Sequence, residues 1–255
     1  MNFSIFNWNI QGTRHYTSTN FDKIASVLEK TEADIFCFQE AQELMKRLDS
    51  FDRLKMLNHI FPDREQDRNV ILSKFPIISS GELTFPSFTN KPLEKALWAD
   101  IEIGNKLVRI YNCHFEIIGV GPKERAEQLK FVLADSKKHT DSTIICGDLN
   151  TTIPPAGIKR KIVQWFHKEP NESIIIDGKY FHSDERYAFV KIAEQEGFRE
   201  ALDISKSTWC VSPFGWELFA LKLDWFLVRD VATLKVSLSS YISDHRAIFV
   251  ECLIN

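Results

Sequence analysis

Short apolar runs that stop or start at a polar residue recur along this chain, and that pattern constrains the fold more than any other feature. FNWNIQG carries Asn9, IFCFQEA carries Glu40, IYNCHFE carries His114, and IICGDLNTT carries Asp148 and Asn150. KLDWFLV carries Asp224, and SDHRA, just before the last apolar run 247–253, carries Asp244 and His245. Runs of this length, rich in β-branched and aromatic residues, read as buried strands. Polar groups at strand ends stand where loops present function on a rigid frame. Such repetition points to one converging site.

Between the strands the spacing changes to helical. A helix is expected over 21–30, with Asn20 as its N-cap and Ile24, Val27 and Leu28 on one face. A second is expected over 42–51. The clearest spans 122–138, with Pro122 at the first position, Glu124 in the first turn, and Ala126, Leu129, Val132 and Leu133 at helical spacing. A fourth falls over 185–196. Strands are expected at 3–9, 35–39, 70–73, 77–83, 97–103, 107–114, 144–147 and 222–228, with Gly104-Asn105 turning a hairpin. The stretch 151–187 reads as irregular and polar. Helices between strands early on, and hairpin-spaced strands later, predict a sheet-rich α/β sandwich with helices outside. No repeat or linker divides the chain, so one domain over 1–255 is expected.

With 32 Lys and Arg against 35 Asp and Glu the formal net charge is -3, so no global basic field draws in a long polyanion. Phosphate recognition, if present, is local. The composition, 44% hydrophobic and 26% charged, is that of an ordinary soluble protein. The alternating N-terminus offers no signal peptide, and no stretch reaches the roughly 18–20 apolar residues of a membrane span. Five cysteines without CxxC spacing, four of them inside apolar runs, fit reduced thiols and a cytoplasmic location. A monomer is expected.

The chemistry of the polar positions narrows further. Glu40, Asp148 and Asp244 with the amides of Asn9, Gln11 and Asn150 form a hard oxygen donor set, suited to Mg²⁺ or Mn²⁺ and unsuited to structural zinc. Mg²⁺ takes only one or two protein carboxylates, so Glu40 can dominate its shell. A salt bridge to Lys or Arg is the competing reading of Glu40. Asp224 beside His245 would fix the imidazole tautomer and favour its charged form. Plain packing is the alternative for a histidine. In GDLN, Asp148 is a candidate base for water and Asn150 can orient that water or a phosphate oxygen. An Asx-turn closing the strand explains the same residues.

WNIQG, FQEA, NCHFE, GDLNTT, LDWFLV and SDHRA, in this order over residues 3 to 253, resemble the endonuclease/exonuclease/phosphatase superfamily. That group includes deoxyribonuclease I, abasic-site endonucleases, 5′-tyrosyl-DNA phosphodiesterases, neutral sphingomyelinases and inositol polyphosphate 5-phosphatases. The resemblance implies a four-layer α/β/β/α sandwich of two mixed sheets flanked by helices, and an Mg²⁺-dependent (or Mn²⁺-dependent) phosphoesterase. By matching position, Glu40 resembles the main metal ligand, assisted by Asn9 and with Asp244 beside the metal. Asp148 resembles the residue that activates or orients water, and Asn150 its phosphate-positioning neighbour. His245, oriented by Asp224, resembles the phosphate-contacting histidine, and His114 the additional histidine of deoxyribonuclease I and several phosphatases. The resemblance leaves open whether Asp148 or the Asp224–His245 pair is the base. Gln11 stands where abasic-site endonucleases carry Asp, and they carry Tyr at the position of His114; both departures argue against that branch.

Three classes of function follow. A phosphodiesterase acting on DNA or RNA leads. Lys159, Arg160, Lys161, Trp165 and Phe166 offer it a phosphate-and-base platform or, equally, a solvated loop with two core aromatics. Arg14, His15 and Tyr16 are further candidates for substrate contact. His114-Phe115-Glu116, followed by a helix led by Pro, Glu and Arg, resembles the tyrosyl-DNA phosphodiesterase branch over a short stretch. A phosphoesterase for a small or lipid-linked phosphate is the second class. A non-catalytic binding module is the third, disfavoured because no assigned position has been lost.

Overall fold

A computed structural model describes the chain except for residues 11–17, 63–68, 87–94, 117–119, 140–141, 152–173, 177–178, 182–184, 212–218 and 255. Its strands are β1 (Asn2–Asn9), β2 (Ile35–Gln39), β3 (Asn58–Ile60), β4 (Val70–Ser73), β5 (Ile77–Thr84), β6 (Lys95–Ile103), β7 (Lys106–His114) and β8 (Ser142–Asp148). They continue as β9 (Ile174–Ile176), β10 (Lys179–Phe181), β11 (Arg199–Glu200), β12 (Trp209–Val211), β13 (Phe219–Leu221), β14 (Asp224–Arg229), β15 (Ala232–Leu238) and β16 (Ile248–Leu253). Among the described residues the α-helices are α1 (Ser18–Lys30), α2 (Gln42–Lys46), α3 (Pro122–Ser136) and α4 (Glu185–Gln195).

Two six-stranded mixed sheets result, ordered β15-β16-β1-β2-β4-β3 and β11-β14-β8-β7-β6-β5. Each is built on one parallel pair, β1 with β2 and β7 with β8, flanked by antiparallel neighbours. Parallel strands end on the same side, and their antiparallel neighbours begin there. Asn9, Glu40, His114 and Asp148 therefore leave β1, β2, β7 and β8 at one edge. Asp224 enters β14 paired directly with Asp148, and Asp244-His245 precedes β16 at that same edge.

Alternation along the strands sorts side chains into three cores. Ile5, Ile35, Cys37 and Ile71 meet Ile101, Ile110, Ile144, Cys146 and Phe226 between the sheets. Phe6, Trp8, Phe36 and Phe38 turn outward from the first sheet onto Phe21, Ile24 and Leu28 of α1. Tyr111, Cys113, Ile145, Trp225 and Leu227 turn outward from the second onto Leu129 and Val132 of α3 and Phe189 and Ile192 of α4. The expected four-layer α/β/β/α sandwich is the observed one. Arg125 of α3 donates two hydrogen bonds, 2.7 and 2.9 Å, to the buried Glu185 of α4 and locks those helices together.

The strand expectations hold, with ends shifted by a few residues, and the β6–β7 hairpin turns through Gly104 at φ 67°. Pro122 and Glu124 play their expected parts, the Glu124 carboxylate accepting the Gly121 N–H at 2.8 Å. Three expectations are corrected. Helix α1 starts at Ser18, so Asn20 lies inside it; Thr17, Ser18, Thr19 and Asn20 are all cap-competent, and composition does not choose among them. The helix expected over 42–51 divides into α2 and a 3₁₀ turn, Leu48–Ser50, because the tighter turn keeps Leu44, Leu48 and Phe51 in one core. The stretch 151–187 contains β9 and β10 paired antiparallel; Asp177-Gly178 between two β-prone runs is the hairpin signal that marks it in the sequence. All five cysteines are buried and free. No helix among the described residues is long and apolar enough to cross a membrane.

Gly147 sets how closely β7 and β8 approach before Asp148. Its φ is 128°, and a Cβ there would lie 1.9 Å from the Cys113 carbonyl oxygen. Gly147→Ala is expected to cost about 3 kcal/mol or more, combining backbone strain with a clash that only strand separation relieves. Urea unfolding measures it; a loss below about 1 kcal/mol would contradict the tight pairing.

Candidate active site

Asp148 is the hub. Its carboxylate is buried at the end of β8, with Oδ1 accepting the Asn150 backbone N–H at 3.0 Å and Oδ2 accepting Asn9 Nδ2 at 2.9 Å. The first bond closes the strand with an Asx-turn, and the second reaches across from the other sheet. Asn150, at φ 49°, donates its side-chain Nδ2 to Phe115 O at 2.7 Å and ties the exit of β8 to that of β7.

Two imidazoles approach the same carboxylate oxygen. His114 Nε2 lies 3.8 Å and His245 Nε2 3.7 Å from Asp148 Oδ2. The other nitrogen of His245, Nδ1, is 2.8 Å from Oδ2 of the fully buried Asp224. Burial by itself would lower the His245 pKa. The Asp224 and Asp148 carboxylates, and the hydrogen bond to Asp224, outweigh it and raise the ring to about 10. His245 is thus a charged imidazolium at neutral pH, with Nε2–H directed into the site.

Glu40, one residue beyond β2, sits at φ 52°, a left-handed conformation that costs a non-glycine L-residue about 1–2 kcal/mol. Its Oε1 is 4.0 Å from His114 Nε2. Asp244 Oδ2 accepts the Trp209 indole N–H at 2.9 Å. Its Oδ1 is buried without a hydrogen-bond partner and lies 4.0 Å from His245 Nε2. Burial raises the Asp244 pKa; His245 and the Trp209 bond oppose this, while Glu40 and Asp148 add to it by like-charge repulsion.

The seven carried-over strand-end positions and Asp244 are therefore gathered at one edge. Gln11, Arg14, His15, Tyr16, Lys159, Arg160, Lys161, Trp165 and Phe166 lie outside the described residues. Thr208, Trp209, Lys222 and Ser243 are additions that reading by strand ends misses. Thr208 Oγ1 accepts the Asp224 N–H at 2.9 Å, and buried Lys222 Nζ lies 3.2 Å from both Glu200 Oε1 and the Asp224 carbonyl. Ser243 Oγ donates to the Asn9 carbonyl at 3.1 Å and accepts the His245 N–H at 3.0 Å. Lys222 stands two residues before Asp224 inside an apolar run, a visible signal; Thr208 has none.

Asp148, Asp224 and His245 offer ligand atoms within 4.8 Å of one another. That grouping suits proton handling better than metal binding, because an ion there would have to break the 2.8 Å Asp224–His245 bond. The donor set around Glu40 and Asp244 fits a hard divalent cation instead: its donors are oxygens, Asp244 Oδ1 is an orphaned buried acceptor, and the carboxylates repel one another.

The chain matches the Endonuclease/Exonuclease/phosphatase family over residues 6–245 and belongs to it. Members of that family are hydrolases acting on phosphate esters. Among solved structures it is similar to the Bacteroides vulgatus endonuclease/exonuclease/phosphatase (14% identity, 100% of each chain covered, TM-score 0.73). It is also similar to D. rerio TDP2 complexed with a single-strand DNA product (16% identity, 99% of each chain, TM-score 0.67). Truncated Caenorhabditis elegans TDP2 is a third such structure (18% identity, 99% of this chain and 98% of that one, TM-score 0.67). No curated protein sequence matches the chain.

The His245 charge gives a pH dependence with a definite sign. A histidine pKa raised from about 6.5 to about 10 adds stability that is complete below 6.5 and is lost as pH rises through 10. In metal-free protein the His245 ring resonances are expected to stay put between pH 6 and 8 by NMR, and unfolding stability to fall toward pH 10. A ring titrating near 6.5 would refute the assignment.

Proposed function

We propose that the chain is an Mg²⁺-dependent phosphodiesterase that hydrolyses phosphodiester bonds in nucleic acid, with residues 1–255 acting as one catalytic domain. The observation that carries this reading is the approach of two imidazole nitrogens and the Asn9 amide to a single oxygen of Asp148. A carboxylate so placed can accept a proton from water while the groups around it face the phosphate that the water attacks.

Glu40 would hold the cation, with Asn9 and Asp244 beside it; Mn²⁺ would serve in its place. The bound cation would supply charge neutralisation to the phosphoryl oxygens and the leaving group. Asp148 takes or directs the proton of the attacking water. His245, held charged by Asp224, donates from Nε2 to a phosphoryl oxygen and stabilises the added negative charge in the transition state. His114 Nε2 approaches from the other flank. Asn9 and Asn150 orient phosphate with their amides, Asn150 using the hydrogen-bonding capacity left beside its bond to Phe115. Asp148 is assigned as the base because the raised pKa of His245 leaves it protonated at neutral pH and unable to accept.

The nucleic-acid assignment draws support from the TDP2 structure crystallised with single-strand DNA product, whose fold this chain shares. The five buried, free thiols support a reducing, cytoplasmic compartment.

His245→Ala is expected to lower kcat by about 10²–10⁴ in hydrolysis of bis-p-nitrophenyl phosphate and of single-stranded DNA. Near-wild-type turnover would remove its role. Glu40→Gln is expected to raise the Mg²⁺ concentration needed for half-maximal rate, with EDTA abolishing wild-type activity; an unchanged metal titration would move the cation elsewhere. Hydrolysis of small phosphate esters with no action on DNA or RNA would overturn the nucleic-acid assignment.

A further inference from the structure

The two oxygens of Asp244 have different surroundings. Oδ2 accepts the Trp209 indole N–H at 2.9 Å, while Oδ1 is buried and unpartnered. Trp209 is itself positioned by main-chain bonds: it forms an antiparallel bridge with His245, the Cys210 N–H binds the Asp244 carbonyl at 3.0 Å, and the Arg246 N–H binds the Thr208 carbonyl at 2.6 Å. From the opposite side the Trp8 indole N–H reaches the His245 carbonyl and Ser243 Oγ, both at 3.1 Å. The loop carrying Asp244 is thus clamped between β1 and β12, and one oxygen of its carboxylate is pinned.

We infer that Trp209 is a positioning residue for the metal site: its indole holds Asp244 Oδ2 so that Oδ1 is presented to the divalent cation. The inference rests on the metal-dependent reading above and extends it to a residue outside the strand-end set. The choice of side chain fits the task. Indole is a neutral donor with no acceptor, so it orients a carboxylate without neutralising it. Lys or Arg there would pair with Asp244 and compete with the cation for its charge. Holding a ligand by its second atom is how outer groups tune metal sites, and losing such a bond weakens metal binding by about 10–100-fold.

Mn²⁺ binding to the metal-free, full-length protein, followed by EPR of the free ion, tests this without catalysis. Trp209→Phe keeps the ring and removes the donor. Its Kd for Mn²⁺ is expected to rise about 10–100-fold, as is that of Asp244→Ala, and the double variant is expected to bind no more weakly than Asp244→Ala alone. Trp98→Phe, on the outer side of the second sheet against Arg109, is expected to leave Kd unchanged. Wild-type affinity in Trp209→Phe, or losses that multiply in the double variant, would overturn the inference. So would loss of binding in Glu40→Gln with none in Asp244→Ala, although the Glu40 metal site would then stand. No effect of either Glu40→Gln or Asp244→Ala, or no Mn²⁺ binding at all, would overturn the metal-dependent reading itself. Should Trp209→Phe not fold, the wild-type Trp209 indole resonance, ¹⁵N-labelled, is expected to shift as Mg²⁺ is added; an unmoved resonance counts against the inference.

Discussion

The side chain of Asn112 joins the two sheets directly beneath the site, and the geometry above it depends on that join. From β7 it donates to the carbonyls of Phe38 and Val70 in the other sheet, both at 2.9 Å. With both amide hydrogens committed, its oxygen must accept, and Gln39 Nε2 fills that place while also binding Asn7 Oδ1. Apolar packing between sheets has no preferred direction and tolerates sliding. Buried hydrogen bonds do not, because any slip leaves desolvated donors and carbonyls unpaired. Gln39 is the residue before Glu40, Asn7 lies two before Asn9, and Asn112 lies two before His114. The network sets the placement of one sheet's site residues against the other's.

Above that layer the electrostatics are deliberately unbalanced. Four carboxylates, those of Glu40, Asp148, Asp224 and Asp244, share the edge with two imidazoles. One pair is settled internally, since Asp224 and His245 hold each other. Among the described residues the remainder holds more carboxylates than basic groups, and the Asp244 pKa is raised by burial and by its acidic neighbours Glu40 and Asp148. Under the proposed function a divalent cation would relieve the repulsion, and a phosphate would meet the Nε2–H of a His245 already held by Asp224. Strain at Glu40 accompanies this arrangement: a glutamate at φ 52° persists only where its surroundings over-determine it.

Much of this was legible in the chain. Strand-end polar residues such as Asn9, Glu40 and Asp148 could be picked out because period-2 and continuous apolar runs mark where strands stop. The helix at Pro122 could be placed because proline, Glu124 and the 3.6-residue spacing agree. Legibility failed where several residues could do one job, as in the cap-competent run before α1. It failed also where the partner is distant in sequence. Thr208 and Trp209 carry no local mark of function; they matter because β12 lies against the loop before β16.

The sequence by itself determined part of the inventory: the long buried strands, their ends to within a few residues, and which acids, amides and imidazoles stand at those ends. Local periodicity and backbone preference suffice for that. Only the tertiary structure decided that His245 pairs with Asp224, that Asn9 crosses to Asp148, and that Trp209 holds Asp244. Those bonds join residues separated by 21, 139 and 35 positions. No local rule reaches so far. They follow from parallel pairing, which sends strand ends to one edge, and from the buried amide layer at Asn112, which fixes that edge of one sheet against the other.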